Sequence, residues 1–160
     1  MAHFDMLERL ELVAKIFQQS PYNVVVKRHP LCNSPLVKEK VSELYSRGLI
    51  HTTQAPIHEL IASASAVFTV NSGVGSEALT YLKPIYTFGR TDYQFATHQI
   101  HAAEDLSELT HRICLPHDEL TIKKILYFYR NHYLFNLVDP KCKQRLKHRI
   151  RDFVCTELDG

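Results

Sequence analysis

Residues 66–86, AVFTVNSGVGSEALTYLKPIY, decide how the rest of this chain is arranged. The short apolar run at 66–70 has the composition of a parallel strand buried on both faces, and it passes directly into Asn71, Ser72, Gly73, Val74 and Gly75 before a helical pattern begins. The expected local structure is a strand, a tight turn and a helix N-terminus. Asn71 and Ser72 can each cap the first helical turn. Gly73 and Gly75 would each cost about 1 kcal/mol relative to Ala in a helix interior, and they belong where backbone must approach something closely. The exposed amides and the positive end of the helix dipole then suit an anion, most often a phosphate, which makes Asn71, Ser72, Gly73, Gly75 and Ser76 candidate binding positions. Val74, Ala78 and Leu82 fall on one face and are predicted to pack on a sheet, and Pro84 opens the next strand at 85–87.

Glycine-containing strand-to-helix turns also occur without any ligand, and NSGVGSE is not the dinucleotide fingerprint, so the segment alone is compatible with either role. Glu77 lies too deep in the helix to close a capping box. It is either a solvent-facing helix residue or, beside a bound phosphate, an acceptor for the hydroxyls of a ribose.

Upstream, residues 22–27 (YNVVVK) form the expected first strand, and its end carries Lys27, Arg28, His29 and Pro30. Ligands of open α/β sheets collect beyond strand carboxyl ends. Lys27 or Arg28 can neutralise a phosphate there, and His29 can donate a hydrogen bond or a proton to it, with Pro30 fixing the turn. A solvated basic loop is the alternative role for the same residues. The spacing predicts a leading amphipathic helix through Phe4, Leu7, Leu10, Ala14 and Phe17, and a second helix over 35–47 stopped by Gly48. A strand at 49–52 follows, then a helix from Pro56 to about residue 64 in which His58 and Glu59 are exposed. Strands alternating with helices through residue 87 predict an α/β fold, a three-layer Rossmann-like domain with a parallel sheet.

Past residue 87 the pattern loosens. Arg90 and Tyr93 stand in a loop that can close over a ligand or simply pack, and 98–104 can hold a last short strand. A brief helix at 106–113 and longer helices from about 118 to 157 complete the single expected domain of 160 residues. In the last helix Leu146, Ile150 and Phe153 are the predicted buried stripe, and Lys141, Lys143, Arg145, Lys147, Arg149 and Arg151 make a basic face that is either solvated or directed at an anionic membrane or acidic polymer. A formal charge of +2 gives no global case for nucleic acid. Cys32, Cys114, Cys142 and Cys155 lack CxxC spacing and are expected to be reduced thiols, and His98 with His101 lacks a third ligand at a metal-site spacing. With no membrane-length apolar run and no signal-peptide layout, the expected location is cytoplasmic, with peripheral attachment at the inner membrane left open.

VVVKRHP followed by IHELIASASAVFTVNSGVGSEALTYLKPIYTFGRTDY resembles the bacterial capsule polysaccharide biosynthesis family. That family includes the transferases that place 3-deoxy-manno-octulosonic acid (Kdo) on a lipid, and the likeness extends more remotely to bacterial sialyltransferases of the two-domain GT-B fold. The resemblance runs from about residue 22 to residue 93. It implies the carboxyl-terminal, nucleotide-binding half of a glycosyltransferase that uses a CMP-activated acidic sugar as donor substrate, with no further cofactor, and a glycan or glycolipid as acceptor. His29 matches the histidine that contacts phosphate and assists departure of CMP, Ser72 the serine that holds phosphate at the helix start, and Glu77 the glutamate at the ribose. The family's amino-terminal half carries acceptor contacts and acidic catalytic residues, for which the residues before Tyr22 are too few, and Asp5, Glu8 and Glu11 have no evident role as a base. The expectation is thus either an excised or split nucleotide-binding half, for which a separate amino-terminal half is a candidate partner, or a truncated relative without turnover; in both cases the chain binds nucleotide rather than completing catalysis. The rival functions are a UDP-sugar transferase or epimerase domain, and a non-catalytic scaffold that keeps a degenerate nucleotide cleft.

Overall fold

A computed structural model describes residues 6–106, 108–113, 118–133 and 138–158, without the side chains at 103, 132, 133 and 153–158. Phe4, Asp5 and Cys114 lie outside the described residues, as do the side chains of Phe153 and Cys155. The elements run α1 (Met6–Phe17), β1 (Val25–Val26), α2 (Pro35–Ser46), β2 (His51–Thr52), α3 (Ile57–Ser63), β3 (Val67–Thr69), α4 (Gly73–Leu79), β4 (Ile85–Thr87), β5 (His98–Gln99), α5 (Leu109–Arg112), α6 (Glu119–Phe128) and α7 (Cys142–Leu158). The chain divides into two compact units, Met1–Ile122 and Lys123–Gly160.

The first unit is mixed α/β, built on short parallel sheets flanked by helices, an arrangement compatible with a Rossmann-like domain. Its strands pair as two parallel ladders, β1 with β2 and β3–β4–β5, where a single sheet is predicted from the sequence. A common core joins them: Val24 packs both against the cluster around Tyr86 and against the one around Leu44 and Ile50. Register builds that core. Phe68 sits opposite Tyr86 and Tyr86 opposite His98, so the three rings stack across the sheet at 4.9 and 5.0 Å between centroids. Phe17 of α1 meets Phe68 edge-on at 5.9 Å, an arrangement favoured by the ring quadrupoles. Val13, Leu106, Leu109 and Ile113 fill out the same cluster around Tyr86.

Helix α2 begins at Pro35 with Ser34 as its N-cap, whose hydroxyl accepts from Val37 N, and ends before Gly48, where a φ of +67° turns the chain. Its polar contact with α1 is a network: Glu11 accepts from Lys40 at 2.5 Å, from Lys15 at 2.9 Å and from Arg47 at 3.4 Å, while Glu43 binds Lys40 and Arg47. These cations hold the Glu11 carboxyl down at about 2. In α4 the inward face is Gly75, Ala78 and Leu79, not Val74, Ala78 and Leu82. The helix ends at Leu79, and Leu82 lies past it with a left-handed φ of 53°, out of line with the helical face.

Helix α6 begins before the boundary between the units and, within the second, runs on into a π-helical turn, Tyr129–Tyr133. Asp139 anchors the start of α7 by accepting from Lys141 N at 2.9 Å and from the Arg145 guanidinium at 3.2 Å. The predicted stripe of α7 is only partly inward. Cys142 is buried, whereas Leu146 and Ile150 are 39% and 55% exposed. Among the described residues no helix is long and apolar enough to cross a membrane.

Candidate functional site

Three polar links join the loops that follow successive strands. Lys27 Nζ donates to Ala55 O at 2.7 Å, tying the loop after β1 to the loop after β2. That second loop leads into α3, where His58 Nε2 lies 3.6 Å from Glu77 Oε2 on α4. The Tyr93 hydroxyl, on the loop after β4, donates to Ser72 O at 2.5 Å where α4 begins. Two hydrogen bonds and the longer His58–Glu77 approach thus connect the segments that follow β1, β2, β3 and β4, each beyond a strand carboxyl end, where α/β sheets bind their ligands.

Ser72 is the N-cap of α4, with extended backbone and a hydroxyl that accepts from Val74 N at 3.2 Å. Its own amide donates to Thr69 Oγ1. The two glycines differ in surroundings. A Cβ on Gly73 would stand in open space, as a backbone edge facing a ligand requires, whereas one on Gly75 would lie 2.6 Å from Tyr93 Cζ. Gly75 is therefore demanded by the protein's own packing, a constraint invisible in the NSGVGSE motif because Tyr93 lies in a loop beyond the next strand. Tyr93 is buried, and burial, aided by Asp92, raises its pKa, so the phenol stays protonated and able to donate. It closes over Gly75 rather than standing over an open cleft, whereas Arg90 is exposed. Asn71 is exposed beside the cap, and the exposed Ser76 hydroxyl turns back to Gly73 O at 2.7 Å.

His29 Nδ1 accepts a hydrogen bond from Leu31 N at 3.1 Å. This fixes the neutral imidazole as the tautomer with its proton on Nε2, so the group projects a donor to solvent. Arg28 beside it is exposed. Lys27 spends one of its three donors on Ala55 and keeps two. Glu77 is half-exposed and faces His58, whose ring also stacks near Tyr81 at 6.1 Å. His58 carries no local sequence signal for this contact, because it is made across two helices. Among the described residues no group of three or more His, Cys, Asp or Glu side chains is arranged to hold a metal.

Near the carboxyl ends of β4 and β5, Arg9 donates to Phe88 O at 2.7 Å and lies 5.2 Å from the Phe88 ring centroid. With Leu12, Ile100 and Leu106 they enclose a cavity of about 20 Å³, room for roughly one water and far too small for a nucleotide.

The family model described as capsule polysaccharide biosynthesis protein matches residues 5–124. The chain belongs to that family. It is similar to Protein FixF of Sinorhizobium fredii (strain NBRC 101917 / NGR234), with 29% identity over 164 residues that cover 98% of this chain and 38% of the relative. It is also similar to the capsule polysaccharide export protein KpsS of Escherichia coli, with 34% identity over 77 residues, 44% of this chain and 20% of KpsS. The matched region thus spans 38% or less of the length of either relative. No solved structure matches this family member.

Proposed function

We propose that this chain is the donor-binding half of a GT-B glycosyltransferase, one that transfers Kdo or a related acidic sugar from a CMP-sugar in capsule or lipopolysaccharide assembly. The observation that supports the reading is that Lys27 and Ser72, each beyond a strand carboxyl end, are tied to neighbouring loops by Lys27 to Ala55 and Tyr93 to Ser72, with His58 approaching Glu77 between them; His29 follows Lys27 in the first of these loops. Membership of the capsule polysaccharide biosynthesis family supports the setting, as does the partial similarity to the capsule polysaccharide export protein KpsS.

On this reading the donor phosphate rests at the α4 start, with Lys27 and Arg28 balancing its charge. Breaking the bond between sugar and phosphate leaves negative charge on CMP, and the Nε2 proton of His29 meets it. Losing one such fixed donor costs on the order of 3 kcal/mol in the transition state. Glu77 accepts from the ribose hydroxyls, for which it must exchange or share its contact with His58. In such an enzyme the acceptor contacts and the acidic catalytic residues belong to the amino-terminal half.

Calorimetric titration of the chain with CMP, with UMP as the control, tests the proposal. Selective CMP binding that weakens in both His29→Ala and Ser72→Ala is the expected result. Equal affinity for UMP would favour a uridine-sugar enzyme. No binding of either nucleotide at millimolar concentration by a folded chain would overturn the donor-site reading and leave a scaffold.

A further inference from the structure

Charge is segregated along this chain. Residues 123–160 carry nine Lys and Arg against four Asp and Glu, a net +5, while residues 1–122 carry ten against thirteen, a net −3. The near-neutral total hides a basic second unit. Such asymmetry between parts of a chain points to an anionic partner. What kind of partner follows from α7.

Leu146 and Ile150 are one helical turn apart on α7, stacked on the same side, and both are exposed. By helical spacing, Lys143, Lys147 and Arg151 line one flank of this apolar pair, and Arg145 and Arg149 line the other beyond buried Cys142. Gln144, His148 and Asp152 fall on the far side, away from the apolar pair. Lys143, Lys147 and Arg149 thus border the apolar pair, within about 80° of it, while Arg145 and Arg151 stand about 120° round and Arg145 is held by Asp139. This is the layout of a helix lying in a lipid interface, where aliphatic stems follow the apolar surface and charged ends reach headgroup phosphates. A nucleic acid would use the cations but would leave Leu146 and Ile150 without a purpose.

We infer that α7 docks this chain on the surface of an anionic lipid bilayer, with Leu146 and Ile150 entering the headgroup region and Lys143, Lys147 and Arg151 meeting lipid phosphates. The inference is independent of the nucleotide reading, since none of these residues belongs to the candidate nucleotide site. It requires no membrane-spanning helix.

Flotation of the full chain with phosphatidylcholine vesicles, prepared with and without phosphatidylglycerol, tests it. The chain should float only with the anionic vesicles and should be released by salt. Leu146→Ser/Ile150→Ser and Lys147→Glu/Arg151→Glu should each weaken binding at least about tenfold while leaving far-ultraviolet circular dichroism and the CMP titration unchanged. If the apolar pair variant loses helix, Lys143→Gln/Lys147→Gln, at exposed positions, supplies the same test. The inference is overturned if the native chain ignores anionic vesicles, if it binds pure phosphatidylcholine equally, or if folded variants bind undiminished. Salt-sensitive capture of RNA without any vesicle binding would also overturn it and assign the basic unit to nucleic acid.

Discussion

Tyr93 hydrogen-bonds to the carbonyl oxygen of Ser72 across 21 residues of sequence, and its ring takes the space that a side chain at position 75 would need. The loop after β4 is thereby locked to the start of α4. Gly75→Ala should cost about 1–3 kcal/mol, the usual range for forcing extra volume into a packed site. Because the obstacle is Tyr93, combining Gly75→Ala with Tyr93→Leu should cost less than the sum of the two single changes. Urea denaturation of the four proteins reads this directly, and strictly additive losses would mean that the ring is not what excludes Ala.

Two serines cap two helices in the first unit, Ser34 on α2 and Ser72 on α4. Each replacement by Ala should lower stability by about 1 kcal/mol, since each leaves a first-turn amide without its acceptor. Only Ser72→Ala should also weaken CMP binding. If Ser34→Ala weakens the nucleotide to the same degree, the effect comes from general loosening of the domain and not from the candidate site.

The tautomer of His29 can be observed without any ligand. With Leu31 N donating to Nδ1, side-chain nitrogen NMR of the neutral ring should find the proton on Nε2. A ring with its proton on Nδ1 would remove the proposed donor to phosphate.

Glu11 makes the α1 to α2 contact sensitive to acid. Hydrogen bonds from Lys15 and Lys40 chiefly, with Arg47, hold its pKa at about 2 against an ordinary 4.5. A carboxylate that is more acidic in the folded state stabilises the fold above its unfolded pKa, and that contribution drains away as the pH falls through the folded value. The native chain should therefore lose stability between about pH 4.5 and about pH 2. Glu11→Gln should flatten this part of the profile, measured by the denaturation midpoint across the acid range. An unchanged slope would assign acid sensitivity to other carboxylates, such as Glu43 and Asp105, whose pKa values are also lowered.

Gly48 ends α2 in the left-handed region, at a φ of +67°. A Cβ there meets nothing within 4 Å, so Gly48→Ala isolates the backbone cost, expected at about 1–2 kcal/mol. A neutral result would show that the turn can relax to another conformation.

What the sequence determined is what nearest neighbours encode. The order of strands and helices, the strand at Ile85–Thr87, the cap at Ser72 and the stop at Gly48 all follow from periodicity, capping chemistry and backbone freedom within a few residues. Burial was less legible where it depends on which turn ends first, as in the shift of the α4 face onto Gly75, Ala78 and Leu79. The sequence marked Lys27, His29, Ser72 and Glu77 by chemistry, but the links around them come from elsewhere: Ala55 for Lys27, His58 for Glu77, Tyr93 for Ser72. Only the tertiary structure decided these, because contacts that close long loops depend on how whole elements pack, and no local spacing records them. Glu11 is the plainest case. An ordinary surface glutamate by helical pattern, it becomes the hinge of a five-residue charge network because α2, 29 residues on at Lys40, folds back beside it.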